Sequence, residues 1–144
     1  MDNLRIDTGV KRVTVNDDPN RVIEFNPTDV AFAERFYSVI RDFEVKQVEY
    51  QRRGQELDIQ ALDANGLPAN VGAGLALLRE ACEFMRERID SVFGVGTSQK
   101  AFGDALTLDM FEQFFEGIMP FIQTARSEKM TRHLNTELSG RVMR

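Results

Sequence analysis

The chain has 144 residues, 42% of them hydrophobic and 28% charged, with a formal charge of −5. That length suits one domain, and 11 Phe together with many Leu, Val and Ile exclude a wholly disordered chain, because their burial offsets chain entropy. The negative charge argues against a broad nucleic-acid surface, whose affinity comes mainly from neutralised phosphates.

One Cys and one His leave almost nothing to build a metal site with and exclude an intramolecular disulfide. No cofactor is expected. Met1 to Asp7 carry no apolar core, so no secretory signal is expected there. The longest run of apolar or Gly residues, Val71 to Leu78, falls far short of the ~20 residues of a membrane span. The expectation is a soluble cytoplasmic domain that touches neither membrane nor nucleic acid.

In chain order, Val13 and Val15 alternate with polar residues, and Arg21 to Phe25 form a second β-prone run. Asn16-Asp-Asp-Pro-Asn20 between them is dense in turn formers, so a β-hairpin is predicted. Such a hairpin either caps a helical core or offers an edge to a neighbouring subunit.

The apolar period then changes. Asn26 is the expected N-cap, with Pro27 at the first helical position and Asp29 in the first turn. Val30, Ala33, Phe36, Tyr37, Ile40 and Phe43 follow at helical spacing. Beyond Val48 the pattern thins. A helix continuing to about Leu62 would be ~50 Å long, so it either breaks near Gly54 or projects beyond the domain. Residues 63–74 read as a loop through Asn65-Gly66 and Pro68.

Leu75, Leu78, Cys82, Met85, Ile89 and Val92 then form a seam with steps of three and four. The opposite face is charged, with Arg79–Glu83 and Arg86–Asp90 spaced to pair. Gly94 and Gly96 end that helix, Thr97 or Ser98 is expected to cap a short turn, and Thr107 to cap the last helix. Leu108, Phe111, Phe115, Ile118 and Ile122 continue the three-and-four stepping, with a bend expected near Gly117 from Pro120. From Arg126 to Arg144 the composition is basic and poor in apolar residues. The predicted fold is mostly α, a three-to-four-helix bundle with a small N-terminal β-hairpin. It divides into a hairpin arm over 1–25, a helical domain over 26–126 and a polar, flexible tail over 127–144.

Few residues suggest chemistry. Gly94-Val-Gly-Thr-Ser-Gln-Lys100 lacks the preceding strand and the Gly-Lys-Ser/Thr order of a phosphate loop. Cys82 on the seam reads as an inert small hydrophobe. Phe111, Phe114, Phe115 and Phe121 do not share one narrow stripe. Between residues 101 and 125 the only charges are Asp104, Asp109, Glu112 and Glu116. These four phenylalanines are the candidate partner-binding residues, for a basic or amphipathic segment; the other reading places all four in the core or in self-association.

A longer pattern runs through Leu78-Arg-Glu-Ala-Cys-Glu-Phe-Met-Arg-Glu-Arg-Ile-Asp-Ser-Val-Phe-Gly-Val-Gly-Thr-Ser-Gln-Lys-Ala-Phe-Gly103 and Leu106-Thr-Leu-Asp-Met-Phe-Glu-Gln-Phe-Phe115. With Val22-Ile-Glu-Phe-Asn-Pro27 before the first helix, it resembles the tail assembly chaperones of tailed phages and prophages of Gram-positive bacteria, over roughly residues 20–130. The resemblance implies a non-enzymatic protein that binds the tape-measure protein and keeps it soluble while tail-tube subunits polymerise. It further implies contact with the tail-tube protein in a frameshifted longer form. Self-association into a homo-oligomer fits the seams. The alternatives are a structural tail component retained in the particle and a small host-directed regulatory binding protein.

Overall fold

In a computed structural model, residues 1–57 and 62–135 are described. The protein is mostly helical, with an antiparallel hairpin at its N-terminal end. Strands β1 (Lys11–Val15) and β2 (Asp18–Phe25) are joined by Asn16 and Asp17, at φ 53° and 58°. Both lie in the left-handed region that a tight two-residue hairpin turn demands and that Asn and Asp tolerate. The register jumps from Val15↔Asp18 to Thr14↔Val22, so Pro19, Asn20 and Arg21 bulge out of the ladder. The bulge spares Pro19 a missing ladder bond and re-aims Arg21. Past it, alternation turns Ile23 and Phe25 into the core, while Arg12 and Glu24 pair on the open face at 3.5 Å.

Helix α1 spans Val30–Glu56, about 40 Å of helix. Its N-cap is Asp29, whose side chain accepts the Ala31 N–H at 3.0 Å, and not Asn26 as predicted. Pro27 is the second residue of a turn closed by Asp29 N–H to the Asn26 carbonyl, 3.2 Å, a position that suits its fixed φ. The Asn26 carboxamide oxygen accepts the Thr28 N–H at 3.1 Å inside that turn. The helix passes through Gly54 and ends at Leu57, which is extended. The expected course towards Leu62 lies in part outside the described residues.

Helix α2 (Val71–Phe93) starts earlier than predicted, because Val71 to Gly74 are already helical. Gly94 and Gly96, at φ 113° and 92°, turn the chain into the short helix α3 (Thr97–Phe102). Neither Thr97 nor Ser98 caps it with its own side chain. The Asp90 carboxylate does so from α2, accepting the Ser98 N–H at 2.7 Å and hydroxyl at 3.0 Å. Asp90 is thus not paired with Arg86. That guanidinium instead donates to the carbonyls of Gly103 (2.6 Å) and Ala105 (3.0 Å) and to the Gln99 carboxamide oxygen (3.0 Å), holding the α3–α4 connection against α2. Arg79 and Glu83 do pair, at 3.4 Å.

Helix α4 (Asp109–Met130) runs through Gly117 and Pro120 as one element. Its N-cap position is Leu108 and not Thr107, without a side-chain cap. Asp109 and Glu112 in the first turn oppose the positive end of the helix dipole instead. A π-helical turn, Thr131–Asn135, follows. The rest of the predicted tail, 136–144, lies outside the described residues.

The core joins the hairpin to three helices. Ile23, Phe25, Phe32, Phe36, Val39, Val92, Ile118 and Ile122 form its main cluster, and Cys82, Ile89 and Phe111 a second. Phe93 lies edge-on to Phe25, Phe32, Phe36 and Phe114 at 5.2–6.1 Å. Such aromatic pairs add roughly 0.5–1.5 kcal/mol each beyond burial. Arg21 ties the hairpin to the end of α3, donating to the Lys100 and Ala101 carbonyls at 2.7 Å each.

Candidate functional site: an acidic-rimmed apolar groove

The α2 seam is apolar along its whole length, but only its C-terminal half is covered. Cys82, Ile89 and Val92 are buried, whereas Leu75 and Leu78 are 61% and 49% exposed. The reason lies in α4, whose buried residues Phe111, Ile118, Ile122 and Ala125 pack on the other half of the bundle. Among the described residues no third helix covers the N-terminal turns of α2 and the C-terminal turns of α1.

The result is an open groove of about 1300 Å³ between α1, α2 and α4. Its α1 wall is Ile40, Phe43, Gln47, Tyr50, Gly54 and Leu57, stepping by three or four along one helix face. Leu75, Leu78, Ala81 and Met85 form the α2 wall, and Leu108, Phe115 and Met119 the α4 side. At Gly54 the walls come close: a Cβ built there would sit 3.8 Å from Leu77 Cδ2.

The charges at this groove are one-sided. Glu44, Asp109, Glu112 and Glu116 line it, and among the described residues none has an ion-pair partner. Lys46, the one lining cation among the described residues, is bound to Glu49 at 3.1 Å and lies over the Phe84 ring at 5.2 Å. The hydrogen bond and charge of Glu49 push its ammonium above the usual lysine range. Burial pushes the Tyr50 phenol up, partly opposed by Lys46. Arg53 clasps Glu80 across the α1–α2 end of the groove, with a second contact of 3.2 Å, and holds that carboxyl below the usual range.

The four candidate phenylalanines are not a surface patch. Phe111 is fully buried, 5.0 Å from the Phe102 ring. Phe114 is half-buried between Phe93 and Phe102, at 5.2 and 5.6 Å. Phe121 packs on Phe25 at 6.0 Å, with the Lys11 ammonium 4.9 Å above its ring. Only Phe115 lines the groove, and it rests on Phe43 and Phe36 at 5.1 and 5.7 Å. The rings satisfy one another edge-to-face, so the surface left open is chiefly aliphatic. Leu75 and Leu78 carry the signal: a seam that begins about two helix turns before its first buried member, Cys82.

Among the described residues, no Ser, Thr, Cys or His lines the groove. Cys82 is buried beside it, and burial raises its thiol above the usual range, partly offset by Arg86 and Arg79. Among the described residues no three His, Cys, Asp or Glu side chains cluster as metal ligands. Nor is any helix among them long and apolar enough to cross a membrane.

The chain belongs to a family of unknown function, DUF6673, whose profile matches residues 20–140. Neither a curated protein nor a solved structure matches the chain significantly.

Proposed function

We propose that the protein is a tail assembly chaperone that binds the phage tape-measure protein in the host cytoplasm and keeps it soluble, without catalysis or cofactor, while tail-tube subunits assemble. The observation that carries this reading is the groove itself. A folded domain that leaves Leu75, Leu78 and Leu108 half open to water forgoes about half of the roughly 1.5–3 kcal/mol that full burial of each side chain contributes. A contiguous uncovered apolar patch of this kind marks a partner surface. A tape-measure chain is long, helical and apolar-striped, and lacks its own partner until the tube forms.

The sequence pattern behind the resemblance adds support. Its Ile89 to Gly103 core builds the joint between α2 and α3, through Asp90 on Ser98 and the two glycine turns. With Arg86 on the following carbonyls, that joint sets where α4 begins, and so the width of the groove.

Co-expression with the tape-measure protein tests the proposal. The wild-type chain is expected to keep that protein in the soluble fraction, and Leu75→Asp with Leu78→Asp to lose this while remaining folded. Rescue undiminished in that variant would remove the groove from the function. Mass spectrometry of purified particles distinguishes the reading from a retained tail component, since a chaperone is expected to be missing from them.

A further inference from the structure

Helix α1 carries a second uncovered apolar stripe, facing away from the groove. Val30, Tyr37, Val45 and Val48 are all exposed, Val45 and Val48 at 70% and 67%. Steps of three and four, or their sums, place them on one helix face. Arg41 and Arg52 lie on the same face, four residues outside the Val45/Val48 pair at either end, and both are exposed. At 100° per residue this stripe points roughly 140° from the row that lines the groove. One side of α1 therefore offers an apolar ridge flanked by Arg41, which has no ion-pair partner among the described residues, and by Arg52, which is held by Glu56 at 2.8 Å and must exchange that surface pair for a new one. The other walls an apolar trough flanked by carboxylates without an ion-pair partner among the described residues.

We propose that the groove's occupant in the absence of a client is a second copy of this chain, which lays the outer face of its α1 into the groove. Val45 and Val48 of one copy then meet Leu75 and Leu78 of the next. Arg41 and Arg52 face the carboxylates of Asp109, Glu112 and Glu116, which lie on one side of α4 within about 11 Å of helix. A helix suits the trough better than an extended segment. Among the described residues neither strand lines it, and a helix satisfies its own backbone donors and acceptors. Stripe and groove are different surfaces, so the contact is head-to-tail and leaves a free stripe at one end and a free groove at the other. The inference rests on the chaperone reading only in that a client helix displaces the neighbour; self-association itself needs no client.

The test is sedimentation velocity of the full chain over a range of concentrations, with circular dichroism to verify folding. A single helix in a groove sits near the small end of stable interfaces, so the mass is expected to rise across roughly 1–300 µM. Val45→Asp with Val48→Asp, and separately Leu75→Asp with Leu78→Asp, are each expected to stay monomeric. Mixed one-to-one, they are expected to form a dimer and nothing larger, because one intact stripe and one intact groove remain to join. A monomeric mixture would overturn the proposal, self-association of either variant alone would replace it with a two-fold contact of like surfaces, and a wild type monomeric throughout would overturn it outright. Glu112→Lys with Glu116→Lys is expected to weaken wild-type association about tenfold at low salt, and Arg41→Glu with Arg52→Glu in the same chain to restore it. An unchanged mass curve in the glutamate variant would remove the charge match on which the choice of occupant stands. Failure here leaves the co-expression result untouched, and the reverse holds too.

Discussion

The carboxylate of Asp90, on the last turn of α2, accepts both the N–H and the hydroxyl of Ser98 at the start of α3. Two polar groups of a buried serine and, among the described residues, the only side-chain cap of α3 depend on this one residue. Asp90→Ala is expected to cost about 1–3 kcal/mol, since it leaves the Ser98 donors without their acceptor. The urea midpoint should fall with little change in slope. An unmoved midpoint would mean that Gly94 and Gly96 alone hold the joint.

Phe111 and Leu75 sit on helices that the sequence reads alike, yet one is sealed and the other open. Phe111→Ala is expected to lose about 3–5 kcal/mol through the cavity it leaves. Leu75→Ala should stay within about 0.5 kcal/mol, because its side chain is already mostly in water. Comparable losses at both positions, measured by denaturant unfolding, would place Leu75 in the core and close the groove.

Gly54 lies inside α1 without a positive φ, and an added methyl would meet Leu77 at ordinary contact distance. Gly54→Ala is therefore expected to stabilise the protein by roughly 0.5–1 kcal/mol, mainly by restricting the unfolded chain. Thermal unfolding checks this. A lower melting temperature would show that the close approach of α1 to α2 at this point requires glycine.

Cys82 gives a pH-dependent expectation. Burial holds its thiol protonated above the usual thiol range, so the folded protein keeps a proton that the unfolded chain releases near pH ~8.5. The contribution of this group is fully present below that value and is lost as pH rises through the folded-state value. Stability should accordingly decline on the alkaline side, and Cys82→Ala should flatten that decline. A thiol reagent at pH 8 should react only as fast as the protein opens; prompt reaction would place the sulfur at the surface.

Much of the architecture is legible in local pattern. The dense turn formers at 16–20 mark the hairpin, and the steps of three and four through Ile89 and Ile118 mark two helices. Local reading fails where a residue has a choice of partners. Arg86 faces Asp90 on a helical wheel, but the carbonyls of Gly103 and Ala105 come within its reach only once the chain has turned at Gly96. Asn26 and Pro27 fit a helix start as well as they fit the turn before one. The candidate site was half visible for the same reason. Leu75 and Leu78 announce an apolar seam, but whether a helix covers them depends on where α4 lands, and that is a tertiary fact. The phenylalanines leave the sequence open between a partner surface and a core, because only the folded chain shows that Phe111 is buried and that Phe114, Phe115 and Phe121 are partly buried against other rings.

Phe25 has a final consequence for how the chain behaves in a crowded setting. Its ring touches Phe32 of α1, Phe93 at the end of α2 and Phe121 of α4, at 5.8–6.0 Å. A terminal two-stranded ribbon is otherwise a ready candidate for exchange between molecules. Here, peeling it away would strip a phenyl contact from three helices at once, so the ribbon is expected to melt in step with the bundle and not to trade places with its counterpart in another molecule.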